Sequence, residues 1–312
     1  MSAASIHQND RLGLLYAAAG FALLSFGDAV VKTMVDEWPP TAIAALRYSL
    51  GAAGLSALLL ASEGRGAFAG FLQPIQWLRG ASVAIATICF FGSLLVMPLD
   101  EATTIVFVAP MLVALFAPVF LGEKSRRESW IASGAAFVGV LIVLRPNLAE
   151  IGWAAFLPLV AATGMSILMI ANRAVAGRSS ALSMQAFVAL AAAPVIVTVA
   201  IVAHFTVDVL RVGTPDWTVI ARCAFVAVSA SSAHWLVYLG TTRAGAATIA
   251  PMTYIQLVVA VLLGWWWFGD VPDLATLAGA TIIIGAGLYL WHRGRAAPIP
   301  AGRQAVVERT QD

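Results

Sequence analysis

Five ionisable side chains, Asp28, Lys32, Arg47, Arg222 and His234, interrupt long apolar runs of this 312-residue chain. A charge placed in lipid is costly, so each must be paired, lie near an interface or serve a function. Lys32 and Arg222 fall near the outer ends of their runs, where a long side chain reaches the interface while its stem stays in the apolar layer. Asp28 and Arg47 each lie roughly 9 Å in from the same end of consecutive runs, at about 1.5 Å per helical residue. Equal depth and opposite charge predict an ion pair, and Lys32, four residues beyond Asp28, can join it. That group is either a clamp between two helices or an outer gate that touches substrate. His234 lies roughly 10 Å from the other end of its run. Its imidazole is either satisfied by a backbone or Ser232 oxygen, or it relays a proton near neutral pH. Tyr254 and Gln256, near the midplane of the next run, offer hydrogen bonds to a polar ligand. Other chemistry is missing. There is no phosphate-cradling P-loop, so no ATP-driven pump is encoded. No His/Cys/acid group has metal-ligand spacing, no Ser/His/Asp arrangement appears, and no cofactor is expected. Cys89 and Cys223 sit inside apolar runs and read as free thiols.

The elements that position these groups follow from composition. Hydrophobic residues make up 61% and charged residues 11%, against about 45–50% and 25% in soluble domains. Mean hydropathy is +0.89. A water-soluble enzyme and a disordered chain are both excluded, and a net charge of +2 is too small to argue for nucleic acid. Ten apolar segments are bounded by charge, proline or glycine: 12–34, 41–61, 75–97, 99–121, 130–146, 151–172, 181–203, 217–241, 246–268 and 273–292. The expected class is therefore an all-α integral membrane protein of ten transmembrane helices, with 130–146 short for a span. The runs are continuous rather than alternating, which disfavours an outer-membrane barrel. The run from Leu12 to Tyr16 is too short for the core of a secretion signal, and the apolar pattern continues to Val31, so the first segment reads as a retained span. Thirteen of the 18 lysines and arginines fall on one side, from Arg11 through Lys124 and Arg243 to Arg309. That bias predicts an inner-membrane protein with both termini cytoplasmic.

The chain also repeats. Phe120-Leu121-Gly122-Glu123 ends the fourth segment and Trp267-Phe268-Gly269-Asp270 ends the ninth. Each is followed by a helix of small residues, at an offset of about 147 residues. Two five-helix halves, 1–147 and 148–293, followed by a cytoplasmic tail 294–312, would be inverted relative to each other, because each holds an odd number of spans. Pro110, Pro158, Pro194 and Pro251 fall within spans as kinks or hinges. Trp265, Trp266 and Trp267 read as an interfacial belt.

The stretch Ala250-Pro251-Met252-Thr253-Tyr254-Ile255-Gln256, the run Leu263-Gly264-Trp265-Trp266-Trp267-Phe268-Gly269-Asp270, and Ala109-Pro110 through Leu121-Gly122-Glu123-Lys124 resemble EamA-type transporters, the ten-helix branch of the drug/metabolite transporter superfamily. Asp270 stands where many relatives carry glutamate. The resemblance implies a secondary transporter of small metabolites such as amino acids, often outward, working by alternating access. It implies that polar positions between His234 and Gln256, including Tyr238, face a central cavity. The expected substrate contacts are thus His234, Tyr238, Tyr254 and Gln256, among spans one, three, four, six, eight and nine, with Asp28, Lys32 and Arg47 as gate or ion pair. Expected partners are a small-molecule substrate, the lipid bilayer and a coupled proton, in a monomer or homodimer. A membrane enzyme acting on lipid would need carboxylates or histidines converging at one depth. Asp28 and His234 lie towards opposite faces. A passive channel would need a ring of like residues.

Overall fold

Lipid offers the backbone no hydrogen-bond partner, so so apolar a chain satisfies its peptide groups inside helices. The computed structural model describes residues 3–121, 127–175, 179–244 and 249–295, and all their regular structure is helical. The helices are α1 (Ala3–Lys32), α2 (Pro40–Glu63), α3 (Pro74–Ser93), α4 (Leu99–Val106), α5 (Ala109–Leu121), α6 (Arg127–Ile151), α7 (Leu157–Val175), α8 (Ala181–Thr206), α9 (Trp217–Ala244), α10 (Tyr254–Leu263) and α11 (Leu274–Arg295). Among the described residues 7 helical stretches are long and apolar enough to cross a membrane, α4 and α5 counting as one. Three shorter apolar helices accompany them, Trp130–Leu144, Tyr254–Phe268 and Leu274–Tyr289. The chain is a multi-pass, all-α membrane protein. The expected turn at Gly122-Glu123-Lys124 and nearly all of the tail expected from 294 lie outside the described residues.

Two spans expected to be continuous are broken. The fourth divides into α4 and α5. The ninth opens as a 3₁₀ turn, Ala250–Thr253, continues as α10 and closes in a π-helical turn, Gly264–Phe268. Both breaks fall at the same tripeptide, Ala109-Pro110-Met111 and Ala250-Pro251-Met252. Proline lacks an N–H and collides with the carbonyl one turn earlier, so each break has a local cause. Pro158 does not interrupt a span: it sits in the first turn of α7, where its missing N–H costs nothing. Pro118 and Pro194 do lie inside helices.

The helices pack in pairs. α1 runs along α9, α3 along α7, α2 along α8 and α6 along α11, with lesser seams joining α1 to α10, α5 to α7, α3 to α8 and α2 to α9. Glycine lets several of these pairs touch backbone to backbone. A Cβ on Gly20 of α1 would lie 2.7 Å from the Ala233 carbonyl oxygen of α9, and one on Gly164 of α7 would lie 2.7 Å from that of Ser82 on α3. Gly139 of α6 and Gly279 of α11 face each other's carbonyls in the same way. Small residues at such contacts are how membrane helices gain packing without a hydrophobic drive. One apolar cluster gathers Val31, Met34, Ile43, Phe91, Leu99 and Cys223, joining α1, α2, α3, α4 and α9. A second, with Ile105, Met111, Val140, Leu257 and Ile283, fills the space between α4, α5, α6, α10 and α11. The outer surface carries large apolar side chains such as Trp153, Val119 and Phe205, which lipid solvates and water would not.

Candidate functional site

A cavity of about 650 Å³ lies between α2, α3, α7, α8 and α9. From α9, Ala227, Ala230, Ser231, His234, Tyr238 and Thr241 line it. Their spacing of three and four residues puts them on one helical face. The exposed surface of His234 therefore belongs to the cavity wall. Ser179, Ser180 and Ala181, at the start of α8, and Thr241, near the end of α9, stand at the mouth. The walls thus open at the helix ends that meet residues 64–73 and Ser179–Ser180.

Two arginines line the cavity. Arg79 is almost wholly buried. Its Nε donates to Asn172 Oδ1 at 2.7 Å, one terminal nitrogen donates to the Met184 carbonyl at 2.9 Å, and the other donates to Gln76 Oε1. It therefore ties α3 to α7 and α8. Arg47 lies with its guanidinium carbon 4.7 Å from the Tyr48 ring centroid and 5.2 Å from that of Phe91. Tyr48 is itself fixed by a 2.9 Å hydrogen bond with Thr87 of α3.

Asp28 and Arg47 do not form the expected ion pair. Arg47 is taken up by the two aromatic rings, while Asp28 Oδ2 accepts a 3.2 Å hydrogen bond from Gln256 Nε2. Lys32 turns away as well, to Asp270. Of the four expected substrate contacts, His234 and Tyr238 line the cavity, whereas Tyr254 and Gln256 do not. Tyr254 packs on Phe107, centroids 5.7 Å apart, and its hydroxyl presses against Gly287. The cavity also draws on spans two and seven rather than one, four and nine. The glycine seam between α1 and α9 shuts the first, and the second apolar cluster fills the space beside the broken spans.

The opposite end of the molecule is closed. Lys32 Nζ binds Asp270 Oδ2 at 2.7 Å, and the ammonium lies 4.9 Å from the Phe268 ring centroid. Arg222 grips both carboxylate oxygens of Glu37, and it donates to the Thr33 carbonyl at 3.2 Å and hydroxyl at 3.1 Å. Hydrogen bonding to Arg222 holds the Glu37 carboxyl below its ordinary range. Beneath these pairs lie Met34, Leu99 and Cys223, all fully buried. Lys32 and Arg222 thus reach acidic partners. Asp270 joins this closure, a role its place in the repeat did not announce.

Arg79, Asn172 and Tyr48 are site residues that sequence reasoning passed over. Arg79 is one of the thirteen basic residues on the cytoplasmic side by sequence, and in the structure it lies inside α3. Gln76, three residues earlier on the same helix face, was the available hint. Among the described residues no group of three His, Cys, Asp or Glu could hold a metal ion. The cavity presents groups that bind and orient, with no nucleophile paired to a base.

Residues 11–145 match the EamA-like transporter family. The chain is 22% identical to the S-adenosylmethionine uptake transporter of Rickettsia felis, over 93% of this chain and 97% of that one. It is 27% identical to the pseudopaline exporter CntI of Pseudomonas aeruginosa, over 89% and 95%. It is 26% identical to the riboflavin transporter of Rhizobium johnstonii, over 68% of each. A solved crystal structure of a protein superimposes with a TM-score of 0.59 at 20% identity, covering 89% of this chain and 96% of that one, a likeness of fold. The match over residues 11–145, the transporter relatives aligned over most of the chain and the shared fold agree in what they resemble: this chain is similar to EamA-like transporters.

Proposed function

We propose that this protein is a secondary transporter of small polar metabolites in a bacterial-type inner membrane, with both termini cytoplasmic. The observation that carries the reading is the cavity itself. It is large enough for a metabolite, has polar groups on walls from five helices and is open at one end. Two ion pairs and an apolar plug close the other end. In the topology that the basic residues favour, that arrangement is an inward-open state. Alternating access would break the outer pairs and close the inner mouth around the same site.

The helix pairing supports two inverted halves, 1–147 and 148–293. Exchanging the first five spans with the last five turns the α1–α9 pair into α7–α3 and the α1–α10 seam into α7–α5, and it leaves α2–α8 and α6–α11 unchanged. The glycine contacts follow the same exchange, Gly20 on α9 matching Gly164 on α3. Rocking of one half on the other is the motion this plan favours. Amino acids and related compounds are the substrate class we infer, with export as the working direction and a proton as the coupling ion. The relatives include both uptake carriers and an exporter.

The test is counterflow in proteoliposomes holding the purified protein, with labelled amino acids and related acids, with and without a pH gradient. Saturable exchange that falls in Tyr238→Ala or His234→Ala supports the reading. Flux that is non-saturable and shows no counterflow would point to a channel and sink it.

A further inference from the structure

We infer that the transported compound is an anion whose carboxylate or phosphate docks on Arg47. This rests on the cavity being the transport site. Among the described residues the cavity walls carry two guanidinium groups, Arg47 and Arg79, and no carboxylate. Arg79 gives three of its five N–H donors to an amide, a second amide and a carbonyl, all neutral, so its charge is not met by these partners. Arg47 has no hydrogen bond or ion pair among the described residues. Its two ring contacts use no hydrogen bond, which leaves its N–H donors for a planar anion.

The nearby acids offset at most one of these two charges. Asp28 accepts from Gln256, forms no ion pair with Arg47 within 4.0 Å and does not line the cavity. Glu63 is exposed at the mouth, where it accepts from Ser180 and Ser183 at the start of α8. Even with Asp28 ionised, the two arginines leave one positive charge over. A cation inside a membrane protein without a counter-ion is unfavourable, and a bound anion supplies that counter-ion. The rest of the wall offers neutral hydrogen-bonding groups, Ser231, His234, Tyr238 and Gln185 among them, but no acid to hold an ammonium. Within the amino acids and related compounds proposed above, a net-negative acid is therefore favoured over its amide, over a net-neutral zwitterion and over a cation of the same size. At about 30 Å³ per water the cavity holds the volume of roughly twenty waters, which admits a metabolite and not a polymer.

Binding to the purified protein in lipid nanodiscs tests this through tryptophan fluorescence and thermal melting. The probes are glutarate against glutaramide, glucose 6-phosphate against glucose, and lysine as a cation. At least one anion is expected to bind about tenfold or more tightly than its neutral partner, a gap of about 1.4 kcal/mol. Arg47→Gln should erase that preference while leaving the unliganded melting temperature unchanged. Arg47→Lys, which keeps the charge without the planar fork, should weaken anion binding several-fold. The series that responds tells carboxylate from phosphate. The inference is overturned if no anion binds, if the neutral partner or lysine binds as tightly, or if both Arg47 variants keep the preference. Transport assays separate the two readings. An anion that binds through Arg47 but is never moved in proteoliposomes overturns the transporter reading and leaves the anion site. A neutral compound exchanged equally well by Arg47→Gln does the reverse.

Discussion

Breaking the Lys32–Asp270 pair should open the outer end. The ammonium and carboxylate stand 2.7 Å apart, with side chains 14% and 26% exposed. Exposed pairs are worth about 0–1 kcal/mol, and removing one partner of a buried pair costs about 3–5 kcal/mol. An intermediate burial places Asp270→Asn near 2 kcal/mol, a population shift of about thirtyfold at 1.4 kcal/mol per tenfold. The shift acts on the closed outer state, because only there do α1 and the end of the ninth span hold this contact. Cys223 reports it, since its thiol is fully buried beneath the closure, 4.0 Å from Met34 Sδ. In a Cys89→Ser background, a membrane-impermeant maleimide added outside should label Cys223 up to about thirtyfold faster in Asp270→Asn than in the parent. Lys32→Met combined with Asp270→Asn leaves no orphan charge, so its gain should be smaller than that of Asp270→Asn alone. An unchanged labelling rate in Asp270→Asn, with melting temperature preserved, would refute the reasoning.

Four further outcomes follow. Gly279→Ala sets a Cβ against Val143 and 2.7 Å from the Gly139 carbonyl oxygen, and should cost about 1–3 kcal/mol in thermal or denaturant unfolding, whereas Gly134→Ala, with open space around it, should be neutral. Glu37 is held below its ordinary 4.5, so its stabilising contribution is complete above that pH and is lost as external pH falls through the lower folded value. Reaction of Cys223 with an impermeant mercurial, expressed relative to a free thiol at the same pH, should therefore rise on acidification of the outside below about pH 4.5, and Arg222→Gln should flatten that rise. Arg79→Met leaves the Asn172 and Met184 oxygens without their charged donor and should lower the unfolding free energy by about 2–3 kcal/mol, read as a lower yield of folded protein. His234→Ala should raise the KM for transport with folding intact, while Gln256→Ala should chiefly lower the melting temperature, because it strips the hydrogen bond from Asp28.

Depth was legible in the sequence and azimuth was not. Asp28 and Arg47 were assigned comparable depth from residue counts, but α2 is apolar on nearly every side, so no stripe tells which face turns inward. The aromatic partners of Arg47 lie beside it on α2 and across on α3, and only the latter is a tertiary fact. Periodicity held a better answer for the later spans. His234 and Tyr238 are four apart and share a face, whereas Tyr254 and Gln256 are two apart and cannot both look the same way. The broken spans were legible too, because both carry Ala-Pro-Met, though the 3₁₀ and π turns that complete the ninth span depend on packing around it. The acid ends of the outer pairs, Glu37 and Asp270, come from loops, whose positions no helical count supplies.

The α6–α11 pair has a consequence for the surrounding bilayer. Its member α6 has a short apolar stretch, Trp130–Leu144, which the sequence ends at Arg145. At about 1.5 Å per residue it reaches roughly 22 Å, short of the roughly 30 Å of hydrocarbon in a typical membrane. Lipid chains along that flank must shorten or tilt to meet it. The mismatch is one-sided, because α8 and α9 elsewhere offer longer apolar windows. The protein therefore sits in a lopsided collar of lipid, deeper on one flank than the other. Acyl-chain length becomes a physical variable for its conformational balance, acting from outside the cavity on helices that line none of it.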